Sequence, residues 1–287
     1  MPELPEVEVV KRSLKKNILN LTIKKVIVNE KKLRYVVKKN EFFKTYSKKI
    51  ISVKRVSKYV LLNLEKNLTI ITHLGMTGKF FILDNNKKKK TSFYYKLNDK
   101  DQKHNRIIII LSKKKKLIYN DVRKFGFMKV VLTDQINKIK YLSKLGPEPF
   151  SKSFNTKYFL KYAQNKSVKI KDLLMNQKFV SGLGNIYVNE ILFLSRVNPK
   201  KIASKIKEVE IEKIIKITRR ILKKSIEDGG SSIQNFNDSD GRSGLFQQKF
   251  KVYGREGKKC YKIHCNNYIK KIVISNRSSF YCKSCQK

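Results

Sequence analysis

Four cysteines, all beyond residue 259, set the firmest limit on how this chain can fold. They fall as Cys260-x4-Cys265-x16-Cys282-x2-Cys285. A tail this short cannot own a hydrophobic core. Two close pairs of thiols suit a tetrahedral Zn²⁺ site, with metal ligation supplying the folding energy. In a reducing compartment this usage reads as a metal site rather than as disulfides. His264 stands beside Cys265, and the spacing leaves either of the two as the fourth ligand.

Hydrophobic periodicity divides the rest of the chain. Val7, Val10, Leu14 and Ile18 predict an amphipathic helix over 5–18. Short Ile-, Val-, Tyr- and Phe-rich segments follow near 21–28, 50–56, 58–64, 68–72, 79–83, 93–97, 106–111 and 117–119. Turn-like clusters separate them, so a mostly antiparallel β domain is expected, ending near Val131-Leu132. A helix near 134–144 and the turn-rich Leu145-Gly146-Pro147-Glu148-Pro149 read as a linker. Helices are predicted over 155–164, 169–176, 185–195, 201–204 and 207–228, the last stopped by Gly229-Gly230. The polar stretch 231–249 reads as a mobile loop, and 250–287 as a β-hairpin unit around the cysteines.

The net charge of +45, from 67 Lys+Arg against 22 Asp+Glu, points to a polyanionic partner, with nucleic acid foremost. Lysine far outnumbers arginine, and the runs Lys87–Lys90 and Lys113–Lys116 read as loop or turn decoration rather than binding sites. No apolar run is long enough to span a membrane. Glu3, Glu6 and Glu8 sit where a signal peptide would be apolar, so a cytoplasmic protein is expected.

The start, Met1-Pro2-Glu3-Leu4-Pro5-Glu6, carries chemistry of its own. The small residue after Met1 favours removal of the methionine, which would leave Pro2 as a terminal secondary amine. A terminal amine has a pKa of about 7.7–8.0 against about 10.4 for lysine, so its nucleophilic neutral form is far more populated at pH 7. A secondary amine condenses directly to an iminium, an electron sink for elimination. Glu3 supplies a carboxyl for proton transfer. Pro-Glu is also ordinary at a helix N-terminus.

Other motifs are weak singly. Ser57-Lys58-Tyr59 reads alone as a strand lysine facing solvent. Thr72-His73-Leu74-Gly75-Met76-Thr77-Gly78 and Asp121-Val122-Arg123-Lys124-Phe125-Gly126 are short loops. Gly182-Leu183-Gly184-Asn185 opens a helix whose free N–H groups suit a phosphate. Ser239-Asp240-Gly241-Arg242-Ser243-Gly244 lies in the polar loop.

Together and in this order, these motifs resemble the formamidopyrimidine-DNA glycosylases, the Fpg/MutM type of base-excision repair enzyme. The resemblance spans Pro2 to Lys287 and implies an α+β multidomain fold. Residues 1–133 would form an N-terminal helix with an antiparallel β-sandwich, and 134–150 a linker. Residues 151–249 would form a helix-two-turn-helix domain, and 250–287 a β-hairpin zinc finger. The family has x2 in the first cysteine pair, so this chain carries two extra residues there.

The resemblance also implies roles. Pro2 would be the nucleophile and Glu3 its proton-transfer partner. Lys58 would bind phosphate and donate a proton in β-elimination. Arg277 would grip phosphates and act in δ-elimination. Met76, Arg123 and Phe125 match the intercalation triad that fills the gap left by an extruded base. His104, Lys166 and Asn185 match DNA contacts, and Arg242 falls in the loop over the extruded base. Zinc is structural, held by Cys260, Cys265, Cys282 and Cys285. The implied activity is that of a DNA glycosylase and AP lyase acting on oxidised purines in duplex DNA. The alternatives are an endonuclease VIII-like enzyme for oxidised pyrimidines and a non-catalytic basic DNA-binding protein. Nothing in the sequence calls for an oligomer, so a monomer is expected.

Overall fold

The computed structural model describes residues 1–84, 87–90, 99–231 and 249–287, with no side-chain description for 87–90 and 99–101. The predicted strand 93–97, Arg242 and nearly all of the polar loop lie outside the described residues. Two compact units divide the chain: 1–143 with 228–231, and 144–227 with 249–287.

The first unit opens with α1 (Leu4–Ile18), which buries the predicted stripe of Val7, Val10, Leu14 and Ile18. Then come β1 (Ile23–Val28), a short α2 (Lys39–Phe43), β2 (Ile50–Val56), β3 (Tyr59–Leu64) and β4 (Leu68–His73). They are followed by β5 (Lys79–Asp84), β6 (Lys87–Lys90), β7 (Asn105–Leu111), β8 (Lys116–Asn120) and β9 (Phe127–Leu132). Two antiparallel sheets result, in the orders β1-β7-β8-β5-β6 and β2-β3-β4-β9. Ile23, Val26, Ile107 and Ile109 of one sheet and Val53, Val60, Leu62 and Ile70 of the other share one core with α1. That is the expected β-sandwich.

Two sequence readings need correction here. Lys87–Lys90 is not loop but edge strand β6, paired antiparallel with β5 from Asp84↔Lys87 to Phe81↔Lys90. Lysine has poor strand propensity, yet a lysine-rich edge resists sheet-to-sheet association. The helix expected near 134–144 is instead a 3₁₀ segment (Thr133–Lys138) and a single turn, α3 (Lys140–Ser143). Of the Lys113–Lys116 run, Lys113 and Lys114 form a turn at positive φ, while Lys116 begins β8.

The second unit holds α4 (Thr156–Ala163), α5 (Ile170–Met175), α6 (Asn185–Ser195) and α7 (Glu208–Glu227), then the hairpin β10 (Lys270–Ile274) and β11 (Arg277–Tyr281). The predicted helix 201–204 is only a 3₁₀ turn, Ala203–Lys205. Helix α6 is buried on nearly every side, which explains why apolar residues occur all round it. It is also the post on which the finger hangs. The buried Glu190 carboxylate accepts the N–H groups of Lys251, Val252 and Tyr253 at 2.8–2.9 Å. Asn189 Oδ1 accepts Phe280 N–H at 2.7 Å. Past the helix end, Gln286 accepts Cys282 N–H at 3.0 Å and donates to the Val197 carbonyl at 2.8 Å. No helix among the described residues is long and apolar enough to cross a membrane.

Candidate active site and zinc centre

At the N-terminal end of α1, Glu3 is the N-cap and forms a capping box with Glu6. The Glu3 N–H donates to Glu6 Oε2 at 2.9 Å. Glu6 Oε1 accepts both the N–H and the hydroxyl of Ser231, at 2.7 and 2.8 Å. Pro2, Glu3 and Glu6 are all buried. Burial holds the terminal amine of Met1 below its usual pKa; Glu3 and Glu6 oppose this, and the charges of Lys58 and Arg123 add to it. A terminal amine at this end therefore faces carboxylates and cations together in a partly dry setting, which lowers its pKa.

Lys58 is buried, contrary to the bare-sequence reading of a solvent-facing lysine. It sits in the two-residue turn between β2 and β3, with Val56 paired to Tyr59 and Ser57 at φ +52°. Its charge acts on the Met1 amine, so the fold brings Lys58 to the Pro2-Glu3 end.

Met76, Arg123 and Phe125 come from two loops that interlock. A Cβ on Gly75, which has φ +61°, would lie 2.4 Å from the backbone of Phe125 and Gly126. The Asp121 carboxylate joins the loops, accepting Thr77 Oγ1–H at 2.5 Å, Gly126 N–H at 2.8 Å and Tyr119 O–H at 3.2 Å. Thr77 Oγ1 in turn accepts Arg123 N–H at 3.0 Å. The Arg123 guanidinium lies 4.5 Å from the Phe125 ring centre. All three side chains are exposed, and with Met1, Arg34 and His73 they line one cleft of about 530 Å³. The sequence-matched triad thus shares a cleft with the N-terminal residue.

His104 is half-buried, and its Nδ1 lies 2.9 Å from Arg106 Nη2. Arg106 Nε donates to the Asp121 carbonyl, so His104 is tied to the Arg123 loop. His73 is a residue whose role the sequence did not reveal. Its Nδ1 accepts Gly75 N–H at 3.0 Å, which fixes the loop carrying Met76 and requires a neutral ring. Burial, then Arg34 and Lys58, push its pKa down to about 4.

In the second unit, Ser275 and Asn276 both have positive φ and form a tight hairpin turn just before the exposed Arg277. Asn185 opens α6 as expected, and its side-chain amide donates to the Ser278 carbonyl at 3.0 Å. Lys171 donates to the Ser278 carbonyl at 2.8 Å and to Ser279 Oγ at 2.6 Å. Burial pulls the Lys171 pKa to about 8, with Asp172 opposing and Arg277 assisting. The sequence gave no sign of this buried lysine under the Arg277 turn. Lys166 is exposed beyond α4, its Nζ 5.7 Å from the Tyr162 ring centre.

The four cysteine sulfurs lie within 4.8 Å of one another, with Cys260–Cys285 at 3.8 Å and Cys265–Cys282 at 3.6 Å. Tetrahedral Zn–S bonds of about 2.3 Å require S···S separations near ~3.8 Å, which these two pairs match. Cys265, not His264, completes it. The two extra residues are absorbed by a turn in which His264 takes φ +65°. Burial raises the Cys260 and Cys285 thiols, so metal binding must displace protons.

A β-sandwich with a buried acidic helix start, and a helical unit with a four-thiolate finger, define a two-unit class of α+β metalloprotein. Residues 1–128 match the family model for the formamidopyrimidine-DNA glycosylase N-terminal domain, and 145–237 that for the formamidopyrimidine-DNA glycosylase H2TH domain. Residues 257–287 match the zinc finger found in FPG and IleRS. The chain is 39% identical over 293 residues to formamidopyrimidine-DNA glycosylase of Bartonella tribocorum, covering 100% of both. It is 39% identical over 286 residues to that of Rickettsia conorii, covering 100% of this chain and 99% of the relative. Lactococcus lactis Fpg in complex with abasic-site DNA superposes with a TM-score of 0.86 at 32% identity over 99% of each chain. A wild-type Lactococcus lactis Fpg complex with DNA containing an oxidised pyrimidine gives 0.85 at 32% identity over 100% of each. The chain belongs to the formamidopyrimidine-DNA glycosylase family.

Two outcomes follow for these sites. Purified protein is expected to carry one zinc ion per chain by metal analysis; Cys265→Ser should lose it, and His264→Ala should retain it. For His73, the unfolded ring has a pKa near ~6.5. As pH falls from there toward 4, the unfolded chain binds a proton that the folded chain refuses. The folded state is thereby destabilised by about 2–3 kcal/mol between pH 7 and 4.5. In urea unfolding, His73→Gln should lose that much less stability over the same range.

Proposed function

We propose that the chain is a bifunctional DNA glycosylase and AP lyase of base-excision repair, acting on oxidised purines in duplex DNA. The observation that carries this reading is the convergence at the start of α1. There Glu3, Glu6 and Lys58 surround the terminal amine, at a cleft lined by Met76, Arg123 and Phe125. In this reading Met1 is removed, because with it in place the Pro2 nitrogen is an amide with no free lone pair. Basic surface draws in DNA by phosphate neutralisation and counterion release. As the lesion turns out of the stack, Met76 fills the gap, Phe125 wedges beside it and Arg123 bonds the orphaned partner base.

The Pro2 amine then attacks C1′, and the bond from C1′ to the damaged base breaks. Glu3 assists by moving a proton, the sugar ring opens, and an iminium links Pro2 to C1′. The iminium draws electrons in β- and then δ-elimination, with Lys58 as proton donor in the first and Arg277 assisting the second. Phosphate ends remain on both sides of the gap. His104, Lys166 and Asn185 contact the DNA backbone, and Arg242 belongs to the loop over the extruded base.

Zinc supplies rigidity. With four thiolates it has no open position for catalysis. We assign residues 1–133 to the chemistry, 134–150 to a linker, 151–249 to the DNA grip and 250–287 to the finger. We also place the protein in the cytoplasm, on DNA.

A panel of lesion duplexes tests this function. Excision with cleavage on both sides of the site is expected at 8-oxoguanine opposite cytosine and at formamidopyrimidines, at least about tenfold faster than at oxidised pyrimidines. Faster action on oxidised pyrimidines would favour the endonuclease VIII-like reading. Lesion binding without excision would favour a non-catalytic DNA-binding protein.

A further inference from the structure

We propose that Glu8 and Arg55 form a positioning clamp that holds the Lys58 turn against the amine end of α1. The proposal rests on the catalytic reading above and assigns these two residues a part in it. Arg55, near the end of β2, donates from Nε to Glu8 Oε2 at 2.9 Å and from Nη1 to the Ser57 carbonyl at 2.8 Å. Glu8 lies on α1, two turns from Pro2. One guanidinium thus bridges the helix that carries the amine and the peptide that immediately precedes Lys58. Glu8 is itself held on α1, its Oε1 accepting Lys11 Nζ at 3.0 Å and Arg12 Nε at 3.1 Å.

The Ser57 backbone shows why a clamp is needed. Its φ of +52° is the left-handed region, which a residue with a side chain rarely adopts. Such a conformation persists where its surroundings fix it, and it clusters where a side chain must be aimed. Here the aimed side chain is Lys58, buried and close enough to act on the terminal amine. Glu8, Ser57 and the Arg55 side chain are largely shielded from water, so this ion pair is not an exposed and weakly coupled one. Burial raises the Glu8 carboxyl, but the hydrogen bonds and charges of Lys11 and Arg55 bring it net below its ordinary value. The fork geometry of arginine is required, since lysine has one nitrogen and cannot hold Glu8 and the Ser57 carbonyl in the same way.

A kinetic cycle tests the clamp. Single-turnover strand cleavage at an abasic-site duplex is measured for wild type, Arg55→Met, Lys58→Met and the double variant. Affinity for a tetrahydrofuran-site duplex is measured alongside. Displacing a reacting group by about 1 Å costs up to about 10²-fold in rate. Arg55→Met is therefore expected to slow cleavage by about 10-fold or more at saturating DNA, with affinity within about twofold. If Arg55 acts through Lys58, its loss in the Lys58→Met background should add less than about twofold. Arg55→Lys should recover only part of the rate. Glu8→Gln, checked by thermal melting, provides a second route to the same cycle should Arg55→Met fold poorly. Independent, multiplying losses, or an Arg55→Met rate equal to wild type, would overturn the clamp. A wild-type protein that fails to cleave would indict the catalytic reading instead.

Discussion

The Glu3–Glu6 capping box is the interaction on which the rest of the candidate site depends. Two carboxylates are buried at a helix N-terminus, where free N–H groups and the helix dipole stabilise negative charge. Glu6 also accepts two hydrogen bonds from Ser231, far along the chain. The chain start is thus fixed, and a terminal amine is held among carboxylates and cations. The carboxylates favour its charged form; burial, Lys58 and Arg123 favour the neutral one, and for the Met1 amine the net effect is a pKa below the ordinary terminal value. That is the condition a nucleophilic amine needs at neutral pH.

The loops that carry Met76, Arg123 and Phe125 solve a different problem. Three exposed side chains must be presented rigidly without a helix or strand beneath them. The fold does this by interlocking two glycine-bearing turns and threading them with the Asp121 carboxylate. His73 and Arg106 brace the two turns from either side. In the second unit the Arg277 turn is held in similar fashion, by Lys171 and Asn185 donating to the Ser278 carbonyl. Each of these side chains is exposed, while the backbone beneath it is held by hydrogen bonds.

Much of the architecture was legible in the sequence, because α1, α7 and the apolar strands carry clean periodicity. The misreadings have physical causes. Lys87–Lys90 becomes a strand through pairing with β5, a tertiary effect that overrides lysine's own preference. Residues 133–143 start without a side-chain cap and are interrupted by the extended Ile139, so they break into 3₁₀ and a single turn. At the site, the residues themselves showed what Pro2 and Glu3 could do, but Pro-Glu alone also reads as an ordinary helix start, and the family resemblance decided between the two. Lys58, Arg277 and the triad stood out only through family resemblance. The bracing groups were silent because each acts on a partner distant in sequence: Glu8 on Arg55, Lys171 on Ser278, Glu190 on residues 251–253. For His73 the partner is near, but a ring acceptor for a neighbouring N–H leaves no mark in sequence. The choice between Cys265 and His264 likewise needed coordinates.

The Pro2 amine is the proposed nucleophile. Its most direct test is borohydride reduction of Met1-free protein with a duplex containing 8-oxoguanine opposite cytosine, followed by peptide mapping of the adduct. A covalent adduct on Pro2 is expected, absent with undamaged DNA and with N-terminally blocked protein. An adduct on a lysine, or none from protein free of Met1 and loaded with zinc, would contradict it.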